Sequence, residues 1–122
     1  MAETPTYTGG CHCGAVRYRV TMDLGAVMIC NCSICSKAGT MLSFVPATQF
    51  DLLSGGEVLT DYQFGKKRIH HLFCNRCGIR SFGRGIGPDG TEIVAVNVRC
   101  LDDVDIGAIA LQPFDGRSLP TE

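Results

Sequence analysis

Cys74-Asn75-Arg76-Cys77-Gly78 is the stretch whose reading decides the fold. Two cysteines spaced C-x-x-C and followed by glycine form a zinc knuckle, because the glycine takes a left-handed backbone and lets amide N–H groups point at the thiolates. Such donors offset the net negative charge of a thiolate-bound ion. Two sulfurs are half a tetrahedron, and a structural zinc takes four protein ligands. The complementary pair is Cys11-His12-Cys13, flanked by Gly9-Gly10 and Gly14, which allow the chain to bend around an ion. At the start of a strand, period-2 alternation puts Cys11 and Cys13 on one face and His12 on the other. Joining the two pairs ties an N-terminal strand to a late hairpin.

Three more of the eight cysteines form Cys30-Asn31-Cys32-Ser33-Ile34-Cys35. Three local thiolates leave a second zinc one ligand short, as in a catalytic site with a position for water or substrate. Three thiolates also weaken zinc as a Lewis acid toward water relative to three neutral imidazoles. A soft, open site suits an incoming thiol, whose pKa the metal lowers. Thiol chemistry is therefore the expectation, ahead of hydrolysis. The competing reading is closure by a distant residue, with Cys100, His70 and His71 as candidates. In a strand over residues 68–74, His70 shares a face with Cys74, which places it nearer the first zinc, and His71 faces the other way. Cys100, beside a buried-looking strand, reads as a small core residue.

A disulfide framework is the alternative use of an even cysteine count in a small secreted chain. Met1-Ala2-Glu3-Thr4-Pro5-Thr6 has neither the basic nor the apolar segment of a signal peptide. No apolar run is long enough to span a bilayer. A cytoplasmic chain with reduced thiols is expected, so metal is favoured over bridges. At 122 residues, 45% hydrophobic and 19% charged, the sequence reads as a single globular domain over 1–122. Its formal net charge is −1. Seven bound thiolates and two zinc ions would bring this to roughly −4. That balance argues against nucleic acid as a partner, and Lys66-Lys67-Arg68 reads as a solvated turn. Homo-oligomer formation is compatible with the sequence.

Strand-like segments rich in β-branched and aromatic residues cover 16–20, 26–29, 42–45, 57–64, 68–73, 79–82 and 92–98. Turns of helix are expected only within 33–39 and 46–53. The fold class is therefore all-β, made of short antiparallel strands stapled by zinc. Gly83-Arg84-Gly85-Ile86-Gly87-Pro88-Asp89-Gly90 is read as a hairpin connection, since no helix follows to make it a phosphate loop. Lys37 can steer an anionic ligand or be solvated. Asp115 and Arg117 either line the pocket or tie down the C-terminal segment, and the second reading is favoured. No Ser-His-Asp pattern is present.

Together, the motifs Gly9-Gly10-Cys11-His12-Cys13-Gly14-Ala15-Val16-Arg17-Tyr18, Cys30-Asn31-Cys32-Ser33-Ile34-Cys35 and Phe73-Cys74-Asn75-Arg76-Cys77-Gly78 resemble the glutathione-dependent formaldehyde-activating enzyme family, which includes centromere protein V. The closing Leu111-Gln112-Pro113-Phe114-Asp115-Gly116-Arg117 is similar to that family's C-terminal stretch. The resemblance implies a β-tent fold, a structural zinc on Cys11, Cys13, Cys74 and Cys77, and a catalytic zinc on Cys30, Cys32 and Cys35. It also implies a carbon–sulfur lyase that forms or cleaves S-hydroxymethylglutathione, with a glutathione-like thiol and an aldehyde as small-molecule partners. Two other functions fit the same residues: a non-catalytic carrier of a thiol, and a structural zinc protein that binds a macromolecular partner.

Overall fold

The computed structural model describes residues 4–119; residues 1–3, part of the segment used in the targeting argument, lie outside it. Among the described residues, ten strands form two sheets. The smaller contains β1 (Thr6–Gly10), β2 (Arg17–Thr21) and β5 (Phe50–Ser54), in the order β1-β2-β5. The larger adds β3 (Val27–Cys30), β4 (Leu42–Pro46), β6 (Leu59–Tyr62), β7 (His70–Cys74), β8 (Phe82–Ile86), β9 (Glu92–Asn97) and β10 (Leu111–Phe114). Its order is β10-β3-β4-β9-β8-β7-β6. All pairs are antiparallel except β10 with β3, which is parallel. The all-β expectation is met.

Alternation explains which face of each strand is buried. In β2, Tyr18 and Val20 are fully buried between Arg17 and Arg19, and in β9, Val94 and Val96 do the same. Tyr18 and Phe50 of the small sheet meet Phe82 of the large one, with ring centroids 4.6–5.8 Å apart. Such aromatic contacts add about 0.5–1.5 kcal/mol per pair beyond area burial. This aromatic knot and the surrounding valines hold the two sheets on one core.

The structure departs from the sequence expectations at several element boundaries. Residues 6–10 form a strand, so Gly9 and Gly10 pair with Tyr18 and Arg17 before the chain bends. Residues 46–53 hold only a short 3-10 turn, Ala47–Gln49, and then β5. Residues 57–64 begin with a 3-10 turn, Gly56–Val58, ahead of β6. The strand expected at 79–82 starts at Phe82, because the Cys74 N–H reaches the Ile79 carbonyl (3.1 Å) and draws the preceding residues into the knuckle. Much of 83–90 is then strand: Gly83 and Gly85 pair with Ala95 and Ile93, leaving Gly87–Gly90 as the turn.

Candidate functional site

Cys11 and Cys13 lie in the β1–β2 connection, outside either strand. The Cys11 N–H donates to the Val16 carbonyl (3.1 Å) and the Gly14 N–H returns to the Cys11 carbonyl (3.4 Å), closing a tight loop. The two sulfurs are consequently 3.6 Å apart. Strand pleating would hold them roughly 6–7 Å apart, so a turn, and not alternation, brings them together. Across the molecule, β7 ends on Cys74, and the knuckle folds back through Gly78 at φ 79°. The Gly78 N–H donates to the Cys74 carbonyl (2.8 Å).

The four ligand atoms of Cys11, Cys13, Cys74 and Cys77 all lie within 4.8 Å of one another. Cys13 Sγ to Cys74 Sγ is 3.7 Å, and a tetrahedron with Zn–S near 2.3 Å has edges of about 3.8 Å. Backbone amides aim at these sulfurs: Val16 N–H at Cys11 (3.3 Å) and Arg76 N–H at Cys74 (3.4 Å). Backbone N–H groups of Cys13 and Ile79 bring the Cys77 thiol down to about 6. Donors aimed at sulfur stabilise thiolate, and a divalent cation completes that charge balance, so the residues fit a metal. Cys11 and Cys74 are buried, which makes this cluster part of the core.

The second cluster is built differently. β3 ends at Cys30, and α1 (Cys35–Ala38) begins at Cys35 and is closed by Gly39 at φ 69°. The sulfurs of Cys30, Cys32 and Cys35 share one neighbourhood, again within 4.8 Å, and all three residues are half-buried. The Cys32 N–H points at Cys30 Sγ and the Cys35 N–H at Cys32 Sγ, each at 3.4 Å. Burial, then the Cys32 sulfur, pushes the Cys35 thiol up to about 12. Amide donors and the neighbouring thiols favour thiolate at Cys32, and a cation would offset the charge that three close sulfurs build up, so this donor set also fits a metal. Among the described residues, no fourth His, Cys, Asp or Glu joins the group.

The candidates for a fourth ligand are engaged elsewhere. His70 Nδ1 lies 2.6 Å from Asp61 Oδ2, so its expected place beside the first cluster is replaced by a pairing with β6. Cys100 Sγ donates to the Arg80 carbonyl (3.7 Å), and burial raises its thiol to about 11. His71 stacks on Phe64 at 5.2 Å between centroids. All eight cysteines are free, so no disulfide framework exists here.

Sequence reasoning missed what surrounds the three sulfurs. Asn31, between Cys30 and Cys32, clamps the C-terminal segment: its Nδ2 donates to Asp115 Oδ1, and its Oδ1 accepts from the Arg117 N–H, both at 2.9 Å. Gly116 passes so close that a Cβ there would sit 2.5 Å from Cys30 Sγ. Asp115 thus ties down the C-terminal segment, the favoured reading, while Arg117 lines a cavity of 660 Å³, the other reading open for it. That cavity is walled by Cys30, Cys32 and Cys35 together with α1 and one face of the large sheet. Its charged lining is Lys37, Arg80 and Arg117, with no carboxylate among the described lining residues.

An all-β protein with one four-sulfur cluster anchored in its core through Cys11 and Cys74, and one three-sulfur cluster on a largely apolar cavity that carries three cations, defines the class. The chain belongs to the glutathione-dependent formaldehyde-activating enzyme family, whose model matches residues 6–114. That family carries glutathione-dependent formaldehyde activation, with glutathione and formaldehyde as its small molecules. A crystallised Rhodobacter sphaeroides protein is similar at 30% identity and a TM-score of 0.73, over 86% of this chain and 99% of that one. No helix among the described residues is long and apolar enough to cross a membrane.

Proposed function

We propose that this protein is a zinc-dependent carbon–sulfur lyase that reversibly adds a glutathione-like thiol to formaldehyde. Cys11, Cys13, Cys74 and Cys77 hold a structural zinc, and Cys30, Cys32 and Cys35 hold a catalytic one. The observation that carries this reading is the three-sulfur cluster, half-buried, with no fourth ligand among the described residues, facing the cavity. When bound there, zinc supplies a soft position that takes a thiol sulfur and lowers its pKa.

The chain's own residues do the remaining work. Lys37, Arg80 and Arg117 attract and orient the carboxylates of the tripeptide thiol. The amide N–H groups at the cluster fix the cysteine sulfurs, and Asn31 locks the C-terminal wall that narrows the approach to them. In the reaction the thiol S–H bond breaks and a C–S bond forms to the carbonyl carbon. The carbonyl π pair moves to oxygen, which gains the proton through solvent at the cavity mouth. The reverse breaks the C–S bond and returns thiol and aldehyde.

The test is the rate of adduct formation from glutathione and formaldehyde, and of its breakdown, against the spontaneous rate. An increase of at least about 10²-fold is expected from positioning and thiol activation. Cys30→Ser, Cys32→Ser and Cys35→Ser should each abolish it. Thiol binding with no rate increase would leave a thiol carrier, and neither binding nor rate would leave a structural zinc protein.

A further inference from the structure

The cavity is far larger and more apolar than formaldehyde requires. Across β4, β9, β8 and β7, the register places Phe44 opposite Ala95, Ala95 opposite Gly83, and Gly83 opposite His71. All four line the cavity. One row of the sheet therefore has a floor of residues with little or no side chain and two ring walls, forming a trough. Phe114 borders it from β10 and Ile69 from just before β7. Phe44 remains 50% exposed and Phe114 43%, a cost in apolar hydration that a ligand would relieve.

Two of the cavity's three cations, Lys37 and Arg80, also border a smaller lobe beside this trough, while Arg117 lines the main cavity with Phe114 and Gly116. That lobe, 440 Å³, shares Ser33, Ile34, Lys37, Ala38, Phe64 and Arg80 with the cavity and adds Tyr62; it contains none of Phe44, Ala95 or Phe114. Two cations suit the carboxylates of a tripeptide thiol. With the thiol's charged body in that lobe and its sulfur at Cys30, Cys32 and Cys35, the trough is left for whatever is attached to the carbonyl carbon. Formaldehyde has only hydrogens there, and they would leave the aromatic walls wet.

We propose that the trough seats the side group of a bulky apolar aldehyde, aryl or medium-chain alkyl, so that the protein forms and cleaves hemithioacetals of such aldehydes in preference to that of formaldehyde. This rests on the thiol–aldehyde reading above and adds the identity of the carbonyl partner. The bonds balance as before: S–H is lost, C–S is formed, and the proton ends on the carbinol oxygen, with no oxidant or reductant.

The experiment uses the zinc-loaded full chain and preformed glutathione adducts of formaldehyde, phenylacetaldehyde and octanal, with the released aldehyde trapped by semicarbazide. The kcat/KM for the two apolar adducts, relative to their spontaneous rates, should exceed that for the formaldehyde adduct by about tenfold or more, the range a filled apolar pocket provides. Ala95→Leu, which fills the floor, and Phe44→Ala, which removes a wall, should each lower the apolar-to-formaldehyde ratio by about tenfold. Zinc content and circular dichroism confirm that each variant is folded, and the second serves if the first is not. Equal acceleration of all three adducts, or a ratio unmoved by either variant, overturns the proposal while the lyase reading stands. No acceleration of any adduct removes the lyase reading and the proposal with it.

Discussion

The two sulfur clusters contain the same chemical group and differ in what the chain does with it. The first joins residues distant in sequence, from the β1–β2 loop and the knuckle after β7, and buries Cys11 and Cys74 in the core. The second takes all its sulfurs from one short segment, half-exposed, against a cavity. A metal that closes a long loop contributes directly to folding, because the unfolded chain has no preformed site. A metal held by a local loop adds little to the fold and stays accessible. On the proposed reading, where the ligands come from in the chain separates a staple from a reactive centre.

The largest expected effect breaks the staple. Cys74→Ser or Cys77→Ser should unfold the protein, with a loss of at least about 5 kcal/mol, comparable with the whole stability of a small domain. Cys32→Ser should stay folded and bind one zinc fewer, read by metal analysis together with thermal unfolding. If both substitutions collapse the fold equally, the clusters are not divided in role.

A smaller effect sharpens the contrast from the cavity side. Gly116→Val places side-chain atoms where Cys30 Sγ and Cys32 Cβ already lie, 2.5 and 3.2 Å from a Cβ. Overpacking of this kind costs about 1–3 kcal/mol. It should weaken zinc at the three-sulfur cluster and spare the four-sulfur one, which a chelator titration separates into two phases.

Next comes the support of the four-sulfur loop. Arg17, opposite Gly10 in β1, pairs with Asp102, which also accepts from Thr8 Oγ1 (2.8 Å). The Arg17 side chain, then Thr8, holds the Asp102 carboxyl below its ordinary value. A carboxyl lowered on folding stabilises the native state above its unfolded pKa, and that contribution is lost as pH falls through the lowered folded value. With the pair more than a third exposed, Asp102→Asn should cost under about 1 kcal/mol near neutrality. The difference from the parent should begin to shrink at about pH 4 and vanish only once the pH has fallen below the lowered folded value, measured by denaturant unfolding across pH.

Cys100→Ser should have the smallest effect. Its sulfur is in neither cluster, so both zinc phases and the adduct rate should persist. Loss of either would show that a third cysteine region takes part.

What the sequence revealed and what it hid follow from the range of the interactions. Ligand spacing is local chemistry, so the two cysteine groups were legible before any fold was known, as were the alternating strands around Tyr18 and Val94. Strand β1 was hidden because Thr6-Tyr7-Thr8-Gly9-Gly10 lacks apolar alternation and is specified by its pairing with β2. Strand β10 was hidden for a related reason: Leu111–Phe114 is exposed throughout, contains a proline, and exists through distant parallel pairing with β3. The trough was illegible because Phe44, Ala95, Gly83 and His71 form a row only through the register of four strands.

The central claim is that one zinc site is closed by protein and the other has a place for a thiol. Zinc-edge X-ray absorption on the two-zinc protein, before and after glutathione is added, tests it most directly. With four sulfurs at one site and three plus a light atom at the other, the resting average should be about 3.5 sulfurs per zinc, rising to about 4 with glutathione. A resting average already at about 4 and unchanged by thiol would contradict the account.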